Sequence, residues 1–577
     1  MSPITQLLAA ATLALASLTP TLAAATYNFD INYLNDVNPD GLYPRRVITV
    51  NNKWPPPLVL AKVNETLSIN VKNSLPVPTS LHSHGLFFNK TNWLDGAPGV
   101  TQCGIPTGSE FKYEYTPAQH GTFWYHAHNR GQYVDGFRGP LIIQAAQEAY
   151  KYDHEYVVIL HDWYHKEYEE IYVDYGGVRN PTGVEPPPDN TIILVHNLSD
   201  YVDKISFLPG KTYRLRFINM SGFAMFHVSL GGHSMDVIEV DGVDTERKTT
   251  NGFWVSVASR WSVLVDTKNA TDANYNMNVI VDNSMFVIEP PSLKLNVTHP
   301  IEYSPTATLN ETVQPYEELN EMELSPLVPL AAPEPDQELT LEITLATLAD
   351  GGNHGLFNGM TYTHQKVPTI LTAMTTGANA TNPTVYGETN SYLFERNKMV
   401  QVVINNNDGG SHPFHLHGHN FAIVYRSAQD AGVYDPITTP LTSIPANPVR
   451  RDIIQVPKFG HAIIRFRADN PGVWLFHCHI QWHMDSGLAA TFVVAPDAMQ
   501  AEQNIPQFVT DQCKTLGLGV EGNAAGKMGE SVGDLTGANV GPGNIDMGWT
   551  AKGKGALAGC VIAALVGLGT VVWFARE

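Results

Sequence analysis

Cysteine is scarce in this sequence, with four residues in a chain of 577. Cys560 lies inside an apolar run and Cys478 lies between two histidines, which leaves Cys103 and Cys513 for a structural disulfide. The scarcity excludes a small domain held together by a disulfide framework. A chain of this length needs several hydrophobic cores instead, and we expect about three domains of roughly 150 residues.

Basic side chains are also under-represented. The chain has 35 Lys and Arg against 56 Asp and Glu, which gives a formal net charge of -21. This balance argues against nucleic acid or an anionic lipid surface as a partner, because both bind positively charged surfaces. Cations are the ligands that such a chain can attract.

Long apolar runs occur near the two ends of the chain. Residues 1–25 contain "LLAAATLALASL" followed by small residues, which is typical of a secretory signal peptide. Residues 555–574 carry no charge and are long enough, at about 1.5 Å per residue, to cross a bilayer. Together they predict a single-pass type I protein with a large extracellular part. A removed lipid-anchor signal is the alternative, since small residues at 541–544 precede a spacer and the apolar tail.

Asn-x-Ser/Thr sequons are frequent and agree with passage through the secretory pathway, so we expect N-glycosylation. They lie at Asn64, Asn89, Asn197, Asn219, Asn269, Asn296, Asn310 and Asn379.

Long helical patterns are few, whereas strand-like segments such as "RVITV", "TYRLRFI" and "HAIIRFRA" recur between Gly, Pro and Asn. An internal repeat is also readable. The segments "LHSHGLFFN" and "GTFWYHAH" correspond to "FHLHGHNFA" and "GVWLFHCH" in the same order, and "FHVSLGGHSMDVI" resembles a degraded third copy. The pattern predicts an all-β chain of three related domains, of which the first and third carry the chemistry.

Histidines recur as His-x-His pairs in the matching positions of the repeat. The pairs are His82/His84, His126/His128, His415/His417 and His477/His479. Residues two apart on a strand face the same side, so each pair can offer two imidazoles to one site. Eight such ligands exceed the needs of one tetrahedral metal ion and predict a multinuclear site shared between domains.

Cys478 must face the side opposite His477 and His479. There its thiolate can act together with His412 and His483, and one Cys with two His is the trigonal ligand set of a blue copper site. Leu488 occupies the position, ten residues after the cysteine, where such sites often have a weak axial Met. We expect this non-coordinating residue to favour Cu(I) and to raise the reduction potential.

The segments "HSHG", "WYHAH", "HPFHLHGH" and "HCHIQWH" resemble the four copper motifs of the multicopper oxidases, over essentially residues 26–500. The resemblance implies three consecutive cupredoxin-like Greek-key β domains at 26–147, 148–300 and, with a linker, 301–500, followed by a stalk at 501–554 and a transmembrane helix at 555–574. It also implies four copper ions per chain that oxidise a reductant one electron at a time and reduce O2 to water.

Carried over by motif, the ligand sets fall into three groups. His412, Cys478 and His483 would hold a type 1 copper, His82 and His415 a type 2 copper, and His84, His126, His128, His417, His477 and His479 a type 3 pair. Asp95 in "WLDGAPGVTQC" matches the family's acidic residue near the cluster and could help to supply protons.

The apolar C-terminal run and the stretch at 520–540 resemble the fungal plasma-membrane ferroxidases of iron uptake. Glu185 and Asp408 match the carboxylates that those enzymes place beside the type 1 histidines, and Asp282 best matches a third. The resemblance implies Fe(II) and O2 as substrates, a plasma-membrane location and an iron permease as partner. Carboxylate oxygens suit iron, because they favour Fe(III) over Fe(II).

Two positions depart from the ferroxidase pattern. His354 stands where a Tyr is expected, and Gln481 replaces the usual Glu, which puts the detail of the iron site and the rate of proton delivery in question. Two alternatives therefore stay open: a membrane-tethered laccase that oxidises phenols, and a permease-assembly partner whose turnover is secondary.

Overall fold

The computed structural model describes residues 25–180, 182–442, 444–544 and 551–576. The predicted signal peptide lies outside the described residues except for Ala25, which begins the first strand. The fold is all-β, as predicted, and its strands form six sheets within the described residues, two in each successive third of residues 25–494.

The first pair of sheets has the strand orders β2-β1-β4-β6 and β3-β8-β7-β5. Its strands are β1 (Ala25–Val37), β2 (Arg45–Val50), β3 (Val59–Lys62), β4 (Leu67–Asn73), β5 (His82–His84), β6 (Glu110–Tyr115), β7 (Gly121–His126) and β8 (Arg138–Gln144).

The second pair has the orders β11-β10-β9-β13-β18-β15-β16 and β12-β20-β19-β14-β17, with β21 beside β19. Its strands are β9 (His154–Trp163), β10 (Asn190–His196), β11 (Tyr201–Val202), β12 (Ile205–Ser206), β13 (Thr212–Asn219), β14 (Phe226–Leu230), β15 (Met235–Val240), β16 (Val243–Thr250), β17 (Gly252–Val255), β18 (Arg260–Asp266), β19 (Ala273–Val281), β20 (Asn296–Glu302) and β21 (Thr308–Leu309).

The third pair has the orders β23-β22-β25-β30-β27-β28 and β24-β32-β31-β26-β29. Its strands are β22 (Gln337–Thr347), β23 (Asn353–Phe357), β24 (Ser391–Phe394), β25 (Met399–Asn406), β26 (His412–Leu416), β27 (Phe421–Arg426), β28 (Arg450–Arg451), β29 (Ile453–Val456), β30 (His461–Arg467), β31 (Gly472–Cys478) and β32 (Ala489–Val494).

Helices are short except at the C-terminus. They are α1 (Tyr168–Tyr175), α2 (Thr369–Thr375), α3 (Gln481–Asp485), α4 (Pro496–Glu502), α5 (Gln507–Thr515) and α6 (Ala551–Phe574). Short 3-10 helices lie at Asn92–Leu94, Arg130–Tyr133, Glu321–Glu323, Gly377–Thr381, Pro383–Tyr386 and Gly529–Ser531.

One cluster of buried apolar side chains runs through all three pairs of sheets, from Phe29 through Val263 to Phe492. Strands rich in Val, Ile and Phe supply most of it, as expected of side chains that fit a pleated, buried surface. The three pairs of sheets are therefore joined by one continuous apolar core. The three domain ranges stay a prediction, which is supported because each pair of sheets comes from a separate segment of the chain.

Strand register places the histidines. In the first pair of sheets His82 of β5 lies opposite His126 of β7, and in the third pair His415 of β26 lies opposite His477 of β31. Directly opposed residues of an antiparallel pair point to the same side. Each strand pair therefore gathers histidines on one face, and the two faces meet between the first and third pairs of sheets.

Cys103 and Cys513 form a disulfide, which confirms the predicted pairing. It joins a loop of the first region to α5. Asn523 and Ala524 beyond α5 are fully buried, and the amide of Gly541 donates to Glu388. The predicted stalk at 501–554 is thus wrong for most of its length, because this segment carries side chains that pack against the body.

Helix α6 is apolar and long enough to span a bilayer between Lys554 and Phe574, and this segment is not buried by the described residues. The result agrees with the predicted C-terminal span.

Most sequon asparagines are exposed, namely Asn64, Asn89, Asn197, Asn269, Asn296, Asn310 and Asn379. Asn219 is not: it is fully buried and its side-chain amide donates to the carbonyls of Ala224 and Val255. The fold thus leaves no room for a glycan on Asn219, since its amide already has two buried partners.

Candidate metal centre

Cys478, His412 and His483 converge on one buried point. The Cys478 sulfur lies 3.7 Å from His412 Nδ1 and 3.6 Å from His483 Nδ1, and the two nitrogens are 3.1 Å apart. The register explains the convergence, because Phe414 lies opposite Cys478 and His412, two residues before Phe414, faces the same side. His483 is presented from α3, directly after β31.

Electrostatics at this point favours a thiolate. Burial raises the pKa of the Cys478 thiol, but hydrogen bonds with His412 and His483 outweigh burial and bring that pKa to about 7. A thiolate with two imidazoles suits copper, since soft sulfur with nitrogen in a trigonal set is the blue copper arrangement. Leu488 is fully buried beside the cysteine, where its carbonyl accepts from the Cys478 amide.

The outer nitrogens of the same two rings face carboxylates. His412 Nε2 donates to Asp408 Oδ2 at 3.1 Å, and His483 Nε2 donates to Glu185 Oε1 at 2.8 Å. Burial raises the pKa of Asp408, but the His412 hydrogen bond outweighs it and holds that pKa at about 2, so the carboxylate stays charged. Each imidazole thus connects the cysteine site to a carboxylate.

Glu185 and Asp408 line one cavity of about 550 Å³, together with His354 and Met285. His354 Nε2 lies 3.0 Å from Asp350 Oδ2. Asp282 lines a neighbouring cavity of about 460 Å³ with Glu318 and Arg426, and Ser284 lines both cavities. The grouping of Asp282 with Glu185 and Asp408 stays a prediction, since Asp282 lies two residues before Ser284, which lines both cavities.

Eight histidines form a second buried cluster on the opposite face of β31. They are His82, His84, His126, His128, His415, His417, His477 and His479, all at most 6% exposed. Their nitrogens fall into overlapping groups within 4.8 Å of one another: His82/His415/His417, His82/His84/His126 and His128/His417/His477. His479 joins the cluster with its ring 5.1 Å from that of His84 and 5.5 Å from that of His126.

In several of these rings one nitrogen is hydrogen-bonded and the other has no partner among the described residues. His82, His126 and His415 each donate from Nδ1 to a backbone carbonyl, while their Nε2 atoms have no hydrogen-bond partner among the described residues. Buried polar atoms are rarely unpaired in proteins. Neighbouring imidazole nitrogens that lack a hydrogen-bond partner are available to bind metal ions. The donor set therefore fits several closely spaced copper ions.

Asp95 is fully buried within this cluster. Its Oδ2 accepts from His417 Nδ1 at 2.9 Å, and its backbone carbonyl accepts from His82 Nδ1 at 2.6 Å. Burial raises the pKa of Asp95, but His417 and His82 outweigh it and hold that pKa far below its usual range. The carboxylate orients His417, as a residue behind a metal ligand does.

Asp452 was missed by the sequence reasoning. It is fully buried, with Oδ1 3.3 Å from His84 Nε2, and its carbonyl accepts from His415 Nδ1 at 2.9 Å. The sequence signal that could have identified Asp452 is the triplet "RRD" immediately before the apolar strand "IIQV". Charges next to a buried strand indicate buried partners, because charged side chains are almost never fully buried unless paired.

Gln481 is buried at the start of α3, close to the Asp485 carboxyl. His419, in contrast, lies outside the histidine cluster and donates from Nδ1 to the His417 carbonyl. This position makes His419 a structural residue rather than a member of the cluster.

Comparisons with known proteins agree with this geometry. Three family models described as "Multicopper oxidase" match residues 33–148, 154–306 and 362–498. The chain is 42% identical to "Iron multicopper oxidase fer1" of Mycosarcoma maydis, with 97% of this chain and 95% of the relative covered. It is 40% identical to "Iron transport multicopper oxidase fio1" of Schizosaccharomyces pombe, with 95% and 88% covered.

Solved structures give the same result. The crystal structure of Fet3p, described as a multicopper oxidase that functions in iron import, matches with a TM-score of 0.84 at 36% identity and covers 91% of this chain and 100% of its own. A laccase from Botrytis aclada matches with a TM-score of 0.76 at 29% identity, with 87% and 93% covered.

Proposed function

The chain belongs to the multicopper oxidase family, and from that premise we propose that it is a ferroxidase that oxidises Fe(II) to Fe(III) and reduces O2 to water in iron uptake. The names of its relatives support this assignment, and copper is the cofactor that the family implies. The observation that carries the proposal is the pair of carboxylates on the outer nitrogens of His412 and His483.

Four copper ions account for the ligands. His412, Cys478 and His483 would hold the type 1 copper, His82 and His415 the type 2 copper, and His84, His126, His128, His417, His477 and His479 the type 3 pair. When bound, these ions supply one-electron acceptance from the reductant and four-electron reduction of O2. The order of the ligands in the chain supports electron transfer, since Cys478 of β31 is bonded through the backbone to His477 and His479.

Glu185 and Asp408 bind the substrate cation in this proposal. Carboxylate oxygens are hard ligands that bind Fe(III) more strongly than Fe(II), so they lower the potential of the iron and favour loss of its electron. The imidazoles of His412 and His483 lie directly between these carboxylates and the Cys478 sulfur. The electron therefore has a short route from the cavity to the thiolate.

His354 replaces the Tyr of the ferroxidase pattern and lines the same cavity. Because Asp350 holds its Nε2, its Nδ1 is the nitrogen left to face a cation. His354 is thus a further candidate contact for iron, beside the Asp282 that the resemblance suggests.

Protons and O2 reach the histidine cluster from another side. A cavity of about 240 Å³ is lined by His128 and Arg130, which is room enough for O2 and several waters. Asp95 provides a carboxylate beside the cluster for proton transfer, whereas the amide of Gln481 cannot carry a proton as a Glu would. We propose that this substitution slows proton delivery without abolishing turnover.

The membrane setting follows from the same family. We propose a type I protein in the plasma membrane, anchored by α6, with an extracellular catalytic part that is glycosylated at the exposed sequons. An iron permease in the same membrane would take up the Fe(III) product.

Anaerobic mixing of the purified protein with a limiting reductant tests the function. Fe(II) should bleach the blue absorption faster than a bulky neutral phenol at equal concentration, because the acidic cavity concentrates cations. Faster bleaching by the phenol would instead favour the laccase alternative.

A further inference from the structure

Asp452 lies between the histidine cluster and a buried arginine of the second pair of sheets. Its Oδ1 is 3.3 Å from His84 Nε2 and 2.7 Å from Arg260 Nη1, and its Oδ2 is 2.6 Å from Arg260 Nη2. All three side chains are fully buried. The carboxylate therefore joins an imidazole of the first region to a guanidinium of the second.

His84 differs from the other cluster histidines that have one hydrogen-bonded nitrogen, because its bonded atom is Nε2. In His82, His126 and His415 the bonded atom is Nδ1 and the unpaired atom is Nε2, whereas in His84 the unpaired atom is Nδ1. The nitrogen that a histidine presents to a metal is set by the hydrogen bond that its other nitrogen makes. Asp452 is the acceptor that makes His84 the exception.

Close packing holds Asp452 in this place. Gly85 follows His84 with φ of +93°, and a Cβ there would lie 2.9 Å from Asp452 Oδ2 and 2.6 Å from Arg260 Nη2. Only glycine allows the ion pair to approach the backbone this closely without displacement. Arg260 is fixed in turn by the carbonyl of Thr122 and by Asp241.

The ion pair continues into a longer chain of charges. Asp241 also binds Arg451, which binds Glu321. Buried ion pairs often add no stability over apolar side chains of similar size, because removing two charges from water is costly. A chain of buried charges that ends on a cluster histidine is therefore better explained by orientation than by stability.

We propose that Asp452 is a positioning residue that accepts a hydrogen bond from His84 Nε2 and thereby turns His84 Nδ1 toward the cluster. Its backbone carbonyl does the converse for His415, whose Nδ1 it holds so that Nε2 faces inward. One residue thus sets opposite nitrogens on two neighbouring rings that stack with centroids 3.8 Å apart. The inference rests on the proposed copper ligands but not on Fe(II) as the substrate.

Asp452→Asn and Asp452→Ala in the full chain separate the hydrogen bond from the charge. The asparagine oxygen can still accept from His84, whereas alanine cannot. Glu239→Gln and Glu239→Ala are matched controls, because Glu239 is an equally buried carboxylate that pairs with Arg214 and forms no contact with the histidines. The readouts are copper retained against a competing chelator, the type 2 EPR signal and the blue absorption.

Asp452→Ala should keep the blue absorption but hold its cluster copper about 10- to 100-fold less tightly, the usual effect of removing a partner behind a metal ligand. Asp452→Asn and both Glu239 variants should retain it. Wild-type retention in Asp452→Ala would overturn the proposal. An equal loss of cluster copper in Asp452→Asn and Asp452→Ala would also overturn it, because the effect of Asp452 would then come from its charge or from direct coordination of copper. If the alanine variant does not fold to a blue protein, Asp452→Leu, which is close to Asp in size and also cannot accept a hydrogen bond, takes its place with the same expected loss.

These readouts are independent of the reductant. Failure of the wild-type protein to oxidise Fe(II) would refute the proposed function and leave the copper-retention results unchanged. Loss of cluster copper in blue Asp452→Asn would refute the positioning role and leave the ferroxidase assignment unchanged.

Discussion

Replacing both Glu185 and Asp408 by alanine separates substrate choice from copper chemistry. The two carboxylates lie 2.8 Å and 3.1 Å from the outer nitrogens of His483 and His412, and neither contacts the Cys478 sulfur. The double variant should keep the blue spectrum and O2 reduction and should lose efficiency with Fe(II). Oxidation of neutral phenols should be retained or improved, because the cavity becomes larger and less polar.

The magnitude follows from the number of charged contacts removed. A contact of one carboxylate with a cation contributes on the order of 1 to 3 kcal/mol, and a tenfold change in rate corresponds to about 1.4 kcal/mol. Effects of neighbouring residues are not additive, so the double change should lower kcat/KM for Fe(II) by roughly ten- to several-hundred-fold.

The assay compares steady-state kcat/KM for Fe(II) and for a phenol by O2 consumption. Glu318→Ala is the matched control, because it removes a carboxylate that lines the neighbouring cavity and is not assigned to the iron site, and it should leave both efficiencies unchanged. If the efficiencies of the double variant fell together by one factor, the damage would lie in the copper site or the fold. The reasoning about substrate choice would then be refuted.

Further predictions concern the thiolate, the disulfide and the cavity. Cys478→Ser should abolish the blue absorption and turnover while the type 2 EPR signal remains, because an alcohol is a poor copper ligand, and a persisting blue band would end that assignment. Neither Cys103 nor Cys513 should be alkylated in the intact protein by mass spectrometry, and reduction of their disulfide should lower the free energy of unfolding by about 2 to 5 kcal/mol. His354→Ala should raise KM for Fe(II) by about three- to tenfold with an unchanged blue spectrum, since it removes one neutral cation contact, and an unchanged KM would exclude His354 from the iron site.

Part of the centre was predictable because its histidine pairs lie on strands or directly after them, where a period of two still places both rings on one side. The pairs at 415 and 417 and at 477 and 479 had to share a face, and Cys478 had to point away from them. The structure brings Cys478 together with His412 and His483, and it gathers the eight histidines into one cluster. Periodicity predicted the pairing, whereas the division into ligand sets came from the family resemblance, since His483 lies in α3 rather than on a strand.

Positions set by packing between distant segments were not predictable. Asp282 follows a strand whose exit angle no local pattern specifies, and it lines the cavity next to that of Glu185, with Ser284 common to both. The segment after α5 looked weakly patterned, yet Asn523 and Ala524 are buried because distant surfaces cover them. Asp452 depends on Arg260, 192 residues away in the chain, which a single sequence does not reveal.

The ratio of kcat/KM for Fe(II) to kcat/KM for a bulky neutral phenol, measured on the purified wild-type protein, tests the ferroxidase assignment most directly. The carboxylates beside His412 and His483 predict a ratio well above one, with O2 consumed as Fe(III) forms. A ratio below one, with phenol oxidation coupled to O2 consumption, would contradict the assignment and identify the protein as a membrane-tethered laccase.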